Sequence, residues 1–77
     1  MNPKLTNAQR RLRALDMVEA WYFRRHYEAT AVYWSAIEAG EHPCIAGAER
    51  RRAQMAVWDR RRKEIDAVFS QYPASED

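Results

Sequence analysis

The five residues Ala39-Gly40-Glu41-His42-Pro43 divide the chain into two stretches of helical character. Gly40 can take the left-handed conformation that closes a helix, and Pro43 has the fixed φ that suits the first turn of the next one. On either side lie long stretches without proline. The stop and the start together predict an all-α fold, an antiparallel two-helix hairpin, with helices over about 7–39 and 44–72, a turn at 40–43 and a short frayed acidic tail at 73–77. Pro73 sets the far limit of the second helix, because it cannot continue one and disfavours helical geometry in the residue before it.

Two starts compete for the first helix. Asn2 could cap with Pro3 in the first turn, whereas Thr6 with Gln9 three residues later has the pattern of a capping box, which is favoured. On a 3.6-residue period Leu5, Ala8, Leu12, Leu15, Val18, Tyr22, His26, Ala29, Tyr33, Ala36 and Ile37 share one face of this helix, the expected seam of the hairpin. The second helix offers Ile45, Ala48, Met55, Trp58, Ile65, Phe69 and Tyr72 as its inward stripe, with Arg51 or Arg52 and Arg62 filling the period. Val57 and Val68 form a second facet. Gly47 weakens the early part of this helix by about 1 kcal/mol relative to alanine, so its regular portion is expected from near Ala48.

A chain of 77 residues makes at most one domain, and a domain this small buries only about 60% of its unfolded surface. Disulfides, a metal or association usually compensate. With one cysteine, Cys44, and two histidines, His26 and His42, neither an intrachain disulfide nor a closed zinc site can form, which leaves association. Three Trp, four Tyr and two Phe point the same way, since aromatic rings supply the largest contact area per residue. Apolar residues also spread beyond the seam. Met17, Trp21 and Val32 lie along one flank of the first helix, and Tyr27 and Trp34 along the other, with Arg24, Arg25 and Glu28 between them. One partner helix cannot cover all of these, so the hairpin is expected either to pair into a four-helix dimer or to be completed by a different protein.

The formal charge is +2, from 13 basic and 11 acidic residues. The start of the sequence lacks the continuous apolar segment of a signal peptide and no run reaches the ~20 apolar residues that span a bilayer, so a cytoplasmic location and no membrane partner are expected. Arg50-Arg51-Arg52 and Arg60-Arg61-Arg62-Lys63 invite a nucleic-acid reading. Three consecutive helical residues fan across about 200°, however, and acidic partners sit at helical spacing, as with Asp59 and Lys63 or Arg60 and Glu64. Residues facing each other across the hairpin should have numbers summing to about 83, which brings Arg24 and Arg25 level with the second arginine run. Arg24, Arg25, Arg60, Arg61 and Lys63 are therefore the candidate nucleic-acid contacts, with Trp21, Tyr27 and Trp58 near enough to stack on bases. In length and layout the chain is similar to small dimeric helical hairpins that bind RNA loops.

No paired carboxylates, Gly-rich phosphate loop or nucleophile motif is present, so a non-enzyme without cofactor or metal is expected. Cys44 in the first turn of a helix has no base and orienting group around it in sequence. The segment Lys4-Leu5-Thr6-Asn7-Ala8-Gln9, followed by Ala20-Trp21, resembles the start of the small all-helical anti-CRISPR proteins of phages and mobile elements. That resemblance covers under a third of the chain and carries over no functional residue. It implies a stoichiometric inhibitor that docks on a Cas protein or its complex. The expected partner-binding residues, read from the flanks of the first helix, are Trp21, Arg24, Arg25, Tyr27 and Trp34. One polar contact is expected inside the seam: Glu19 with Arg62, a pair that would fix the helix register.

Overall fold

The computed structural model describes residues 4–77. It is a hairpin of two helices, α1 (Asn7–Glu38) and α2 (Pro43–Gln71), followed by a 3₁₀ turn at Ala74–Glu76. The rival helix start at Asn2-Pro3 lies outside the described residues. Thr6 is the N-cap of α1: its hydroxyl accepts from the Gln9 amide at 3.1 Å, and the Gln9 side chain accepts from the Thr6 amide at 2.9 Å. This reciprocal pair is the capping box expected from the sequence.

Gly40 closes α1 with φ +94°, the one positive φ among the described residues. Its amide donates to the Ile37 carbonyl and the Glu41 amide to the Ala36 carbonyl, a Schellman arrangement that satisfies carbonyls the helix leaves open. Three residues after Gly40, at Pro43, α2 begins. His42 caps it by accepting from the Cys44 amide through Nδ1 at 3.1 Å, and Pro43 occupies the first turn. The helix is regular from Pro43 onwards, not from near Ala48. A glycine in a helix interior costs too little to stop one that is capped upstream and packed against a neighbour.

The Cα trace measures 56 × 26 × 9 Å, a single layer of two helices with no third element over either broad face among the described residues. The pairs Tyr33 with Arg50, Tyr22 with Arg61, and Arg11 with the Tyr72 carbonyl all have numbers summing to 83, the expected register. Eleven residues separate successive members along each helix, because both inward faces repeat with an eleven-residue period. On α1 the inward stripe is Arg11, Leu15, Val18, Tyr22, His26, Ala29, Tyr33 and Ile37, all of them covered at least in part. On α2 and its C-cap the stripe is Ala46, Arg50, Gln54, Val57, Arg61, Ile65, Val68 and Tyr72, again covered at least in part. Eleven residues make three turns at 3.67 per turn, so such a stripe runs almost straight along a helix and keeps two helices in contact over their whole length.

The α2 stripe corrects the sequence expectation. Ile45, Met55, Trp58 and Phe69 are exposed rather than inward, whereas Ala46 and Val68, at 2% and 8% exposure, are the most buried of the described residues. The sequence reading gave the large apolar residues to the seam. The packed helices instead use small side chains near the turn and the stems of Arg50 and Arg61, which lie over Tyr33 and Tyr22 with each guanidinium carbon 5.1 Å from the ring centre. Long arginine stems supply apolar cover while their heads reach polar partners. On α1, Leu12 and Ala8 also turn out exposed.

The tail is docked rather than frayed. Arg11 donates both of its terminal nitrogens to the Asp77 carboxylate, the Asn7 side chain donates to Asp77 and to the Pro73 carbonyl at 2.8 Å each, and Arg11 also lies over Phe69. Hydrogen bonds from Arg11 first and Asn7 second hold the Asp77 carboxyl below its ordinary pKa, and the Asp77 hydrogen bond raises that of Arg11.

Candidate interaction surface

A layer one helix thick has two broad faces, and the sequence gives them different chemistry. Successive residues turn by about 100°, so positions just to one side of each seam stripe fall on one face and those just to the other side on the opposite one. One face is floored by Val18, Ala29, Ala46, Val57 and Val68, with Ala14, Ala36 and Ala53 beside them. Met17, Trp21 and Val32 rise from its α1 side, and Glu49, Arg60 and Glu64 from its α2 side. This alanine face holds an open hollow lined by Met17, Val18, Trp21, Arg60 and Glu64. In it the Arg60 guanidinium lies over the Trp21 ring at 5.2 Å and 3.8 Å from the Glu64 carboxylate.

The opposite face is aromatic. Leu12, Phe23 and Trp34 recur every eleven residues along α1, and Trp58 and Phe69 stand at the matching positions of α2. All five are exposed, by 45 to 60%. Tyr27 and Met55 flank them, so this face carries seven of the eleven exposed large apolar side chains of the described residues. It is anchored to the seam where the Trp58 indole donates to the Tyr22 hydroxyl.

The five expected partner-binding residues therefore do not form one patch. Trp21 and Arg25 belong to the alanine face and its rim, Tyr27 and Trp34 to the aromatic face, and Arg24 points from the outer edge of α1 away from α2. No single flat partner covers all of them. Their separation follows from a hairpin one layer thick, in which residues on opposite flanks of α1 look in opposite directions.

The candidate nucleic-acid residues are for the most part already paired. Arg25 is 3.0 Å from Glu28, Lys63 is 3.2 Å from Asp59, Arg60 is held between Trp21 and Glu64, and Arg61 is bonded to Glu19. Of the five, Arg24 alone has no acidic partner among the described residues. The cations stand at spaced points around the two helices instead of in one track.

The seam pair is also corrected. Glu19 is bonded to Arg61, not to Arg62: the Arg61 Nε donates to the Glu19 carboxylate at 2.8 Å and a terminal nitrogen donates to the same oxygen. Level and partner type were legible, but Arg62 sits about 100° farther round α2, at the rim of the aromatic face. The error has the same origin as the α2 stripe, since placing Trp58, Ile65 and Phe69 inward carries Arg62 inward with them. The signal that separates the two arginines is the eleven-residue spacing of Arg50 and Arg61 set against that of Tyr22 and Tyr33.

His26 stacks on Tyr22, with ring centres 6.2 Å apart and planes at 22°. Cys44 is exposed and unpaired, and no cluster of three or more metal-ligating side chains occurs among the described residues. No helix there is long and apolar enough to cross a membrane. Comparison with known protein families, curated proteins and solved structures finds no match.

Proposed function

We propose that this chain is a non-catalytic protein-binding module whose docking site is the Met17, Trp21, Arg60 and Glu64 hollow on the alanine face. The observation that carries this reading is the Trp21 ring held beneath Arg60 in an open hollow. A partly buried indole, a thioether and an arginine already oriented by a carboxylate are the residue types that dominate binding hot spots. Pre-orienting Arg60 also lowers the side-chain entropy that docking costs. Around the hollow the Arg25 and Glu28 pair supplies a polar rim. Pairing of most of the candidate phosphate contacts favours a protein over RNA or single-stranded DNA as the partner.

The resemblance of the opening segment gives this proposal its partner class: a bacterial CRISPR–Cas complex, with the chain acting as a stoichiometric inhibitor of phage or mobile-element origin. Titrating the purified protein into reconstituted Cas effector complexes and following cleavage of target DNA tests it. Inhibition should saturate at a fixed stoichiometry, and Trp21→Ala should weaken it by roughly tenfold or more, the scale of a hot-spot truncation. Failure to bind any Cas complex removes that partner class. Loss of inhibition with log salt at about 0.7 units per phosphate would instead place the interaction on nucleic acid.

A further inference from the structure

We propose that the aromatic face is the contact with a second copy of this chain, laid antiparallel so that the two turns lie at opposite ends of a four-helix bundle. Surface area points first to a large interface. A compact monomer of 9.1 kDa exposes about 4,900 Å² by the usual scaling with mass, whereas this chain exposes 6294 Å². The excess of roughly 1,400 Å² per chain is what each partner contributes to an obligate homodimer, whose interfaces total about 2,000–5,000 Å².

The shape of the face then selects its occupant. The Arg11 guanidinium over Phe69 and the Trp58 hydrogen bond to Tyr22 put Phe69 level with Arg11 and Trp58 level with Tyr22, so three rungs cross the aromatic face: Leu12 with Phe69, Phe23 with Trp58, and Trp34 with Gly47. The last rung has a gap on its α2 side, where a Cβ added to Gly47 would meet nothing within 4 Å. A two-fold axis crossing the helices at the Phe23 and Trp58 rung exchanges the two end rungs. Phe69 of the second copy then fills the space over Gly47, and Leu12 of the second copy lies against Trp34. Because the interface is isologous, each copy fills the gap of the other.

Charge fixes the direction. A two-fold axis along the helices, with both turns at one end, would set Asp16 at the rim of the face against Asp66 of the second copy. The axis across the helices sets Arg51 against Asp66 of the second copy instead, an opposite pair at each end of the α2 rim. This contact uses the face opposite Trp21, so it stands or falls separately from the docking site proposed above.

The native Cys44, exposed beside the turn, reports the arrangement directly. It lies about 21 Å along α2 from the Trp58 level at 1.5 Å per residue, so spin labels on the two copies should be about 42 Å apart. Sedimentation equilibrium at micromolar concentration should give a dimer. Gly47→Leu should raise the dimer dissociation constant roughly tenfold or more while helix content by circular dichroism is kept or increased, because the side chain has room within one chain and none beneath Phe69 of a second. Arg51→Glu should weaken the dimer, and Arg51→Glu with Asp66→Arg should restore it. A monomer, a label separation below about 25 Å as expected for turns at the same end, or a dimer indifferent to Gly47→Leu would each overturn the proposal.

Discussion

Glu19 of α1 takes two hydrogen bonds from Arg61 of α2 while the same guanidinium rests on Tyr22, one turn along α1. Three side chains from two helices are thus tied into one unit near the middle of the hairpin. The carboxylate and guanidinium side chains remain 37% and 38% exposed, so water screens the charges and the pair is not a sealed ion pair. An exposed pair contributes about 0–1 kcal/mol, against about 3 to 5 kcal/mol for breaking a fully buried one.

Glu19→Leu should therefore destabilise the hairpin by about 1 kcal/mol, as should Arg61→Met, with a coupling of roughly 0.5–1 kcal/mol between them in a double-mutant cycle. Arg62→Met should lie within about 0.5 kcal/mol of the parent, as for a surface residue without a special contact. Urea denaturation of the parent, the three single variants and the double variant checks all of this. A larger loss on changing Arg62 than on changing Arg61 would mean that α2 is rotated by one residue from the arrangement described.

The hairpin itself was legible because its signals are local. Gly40 and Pro43 act through their own backbone angles, and Thr6 and Gln9 cap within a single turn. The register was legible too, since a short turn leaves the helices little freedom to slide. Rotation of α2 about its axis was not. That choice depends on which side chains fill a narrow space between two helices, and there an arginine stem on a tyrosine competes successfully with a tryptophan. Ranking by hydrophobicity put Trp58 inside and Arg61 outside, and the packing reverses both assignments in part. The two flanks of α1, Trp21 on one and Tyr27 and Trp34 on the other, were legible from its own periodicity, but the α2 residues that complete each face become visible only once the α2 stripe is in place.

Acid should release the tail. In the folded chain the Asp77 carboxyl titrates below its ordinary value, through hydrogen bonds from Arg11 first and Asn7 second. A carboxyl depressed on folding contributes its stabilisation above the unfolded value, about 3.9 for aspartate, and loses it as pH falls through the lower folded value. The 3₁₀ turn at Ala74–Glu76 should accordingly stay docked at pH 5 and detach only below about pH 4. Amide chemical shifts of Ser75 and Glu76 followed by NMR should show a midpoint below that of an unstructured aspartate. Asp77→Asn should abolish the transition and leave the tail loose at neutral pH. A midpoint at or above the ordinary value would show that the Arg11 contact does not persist in solution.

Arg50 repeats the position of Arg61 eleven residues earlier, and there the same side chain lacks what makes Arg61 useful. Its ring partner, Tyr33, is in place at 5.1 Å, but the residue that corresponds to Glu19 is Thr30, whose hydroxyl accepts at a long 3.3 Å and itself donates to the His26 carbonyl. The Arg50 Nε is buried with no hydrogen-bond partner. Leaving such a donor unsatisfied costs about 1–3 kcal/mol, whereas a partly exposed cation over a tyrosine ring returns about 0.5–1 kcal/mol. Methionine has nearly the same helix propensity as arginine and keeps an unbranched stem against Tyr33. Arg50→Met should then leave the protein equally stable or more stable by up to about 1 kcal/mol, while the equivalent change at Arg61 destabilises it by stranding Glu19. Opposite signs at two positions of one repeat are a stringent outcome, readable in the same urea experiment. If Arg50→Met instead costs more than about 1 kcal/mol, the ring contact and the Thr30 bond outweigh the unpaired donor.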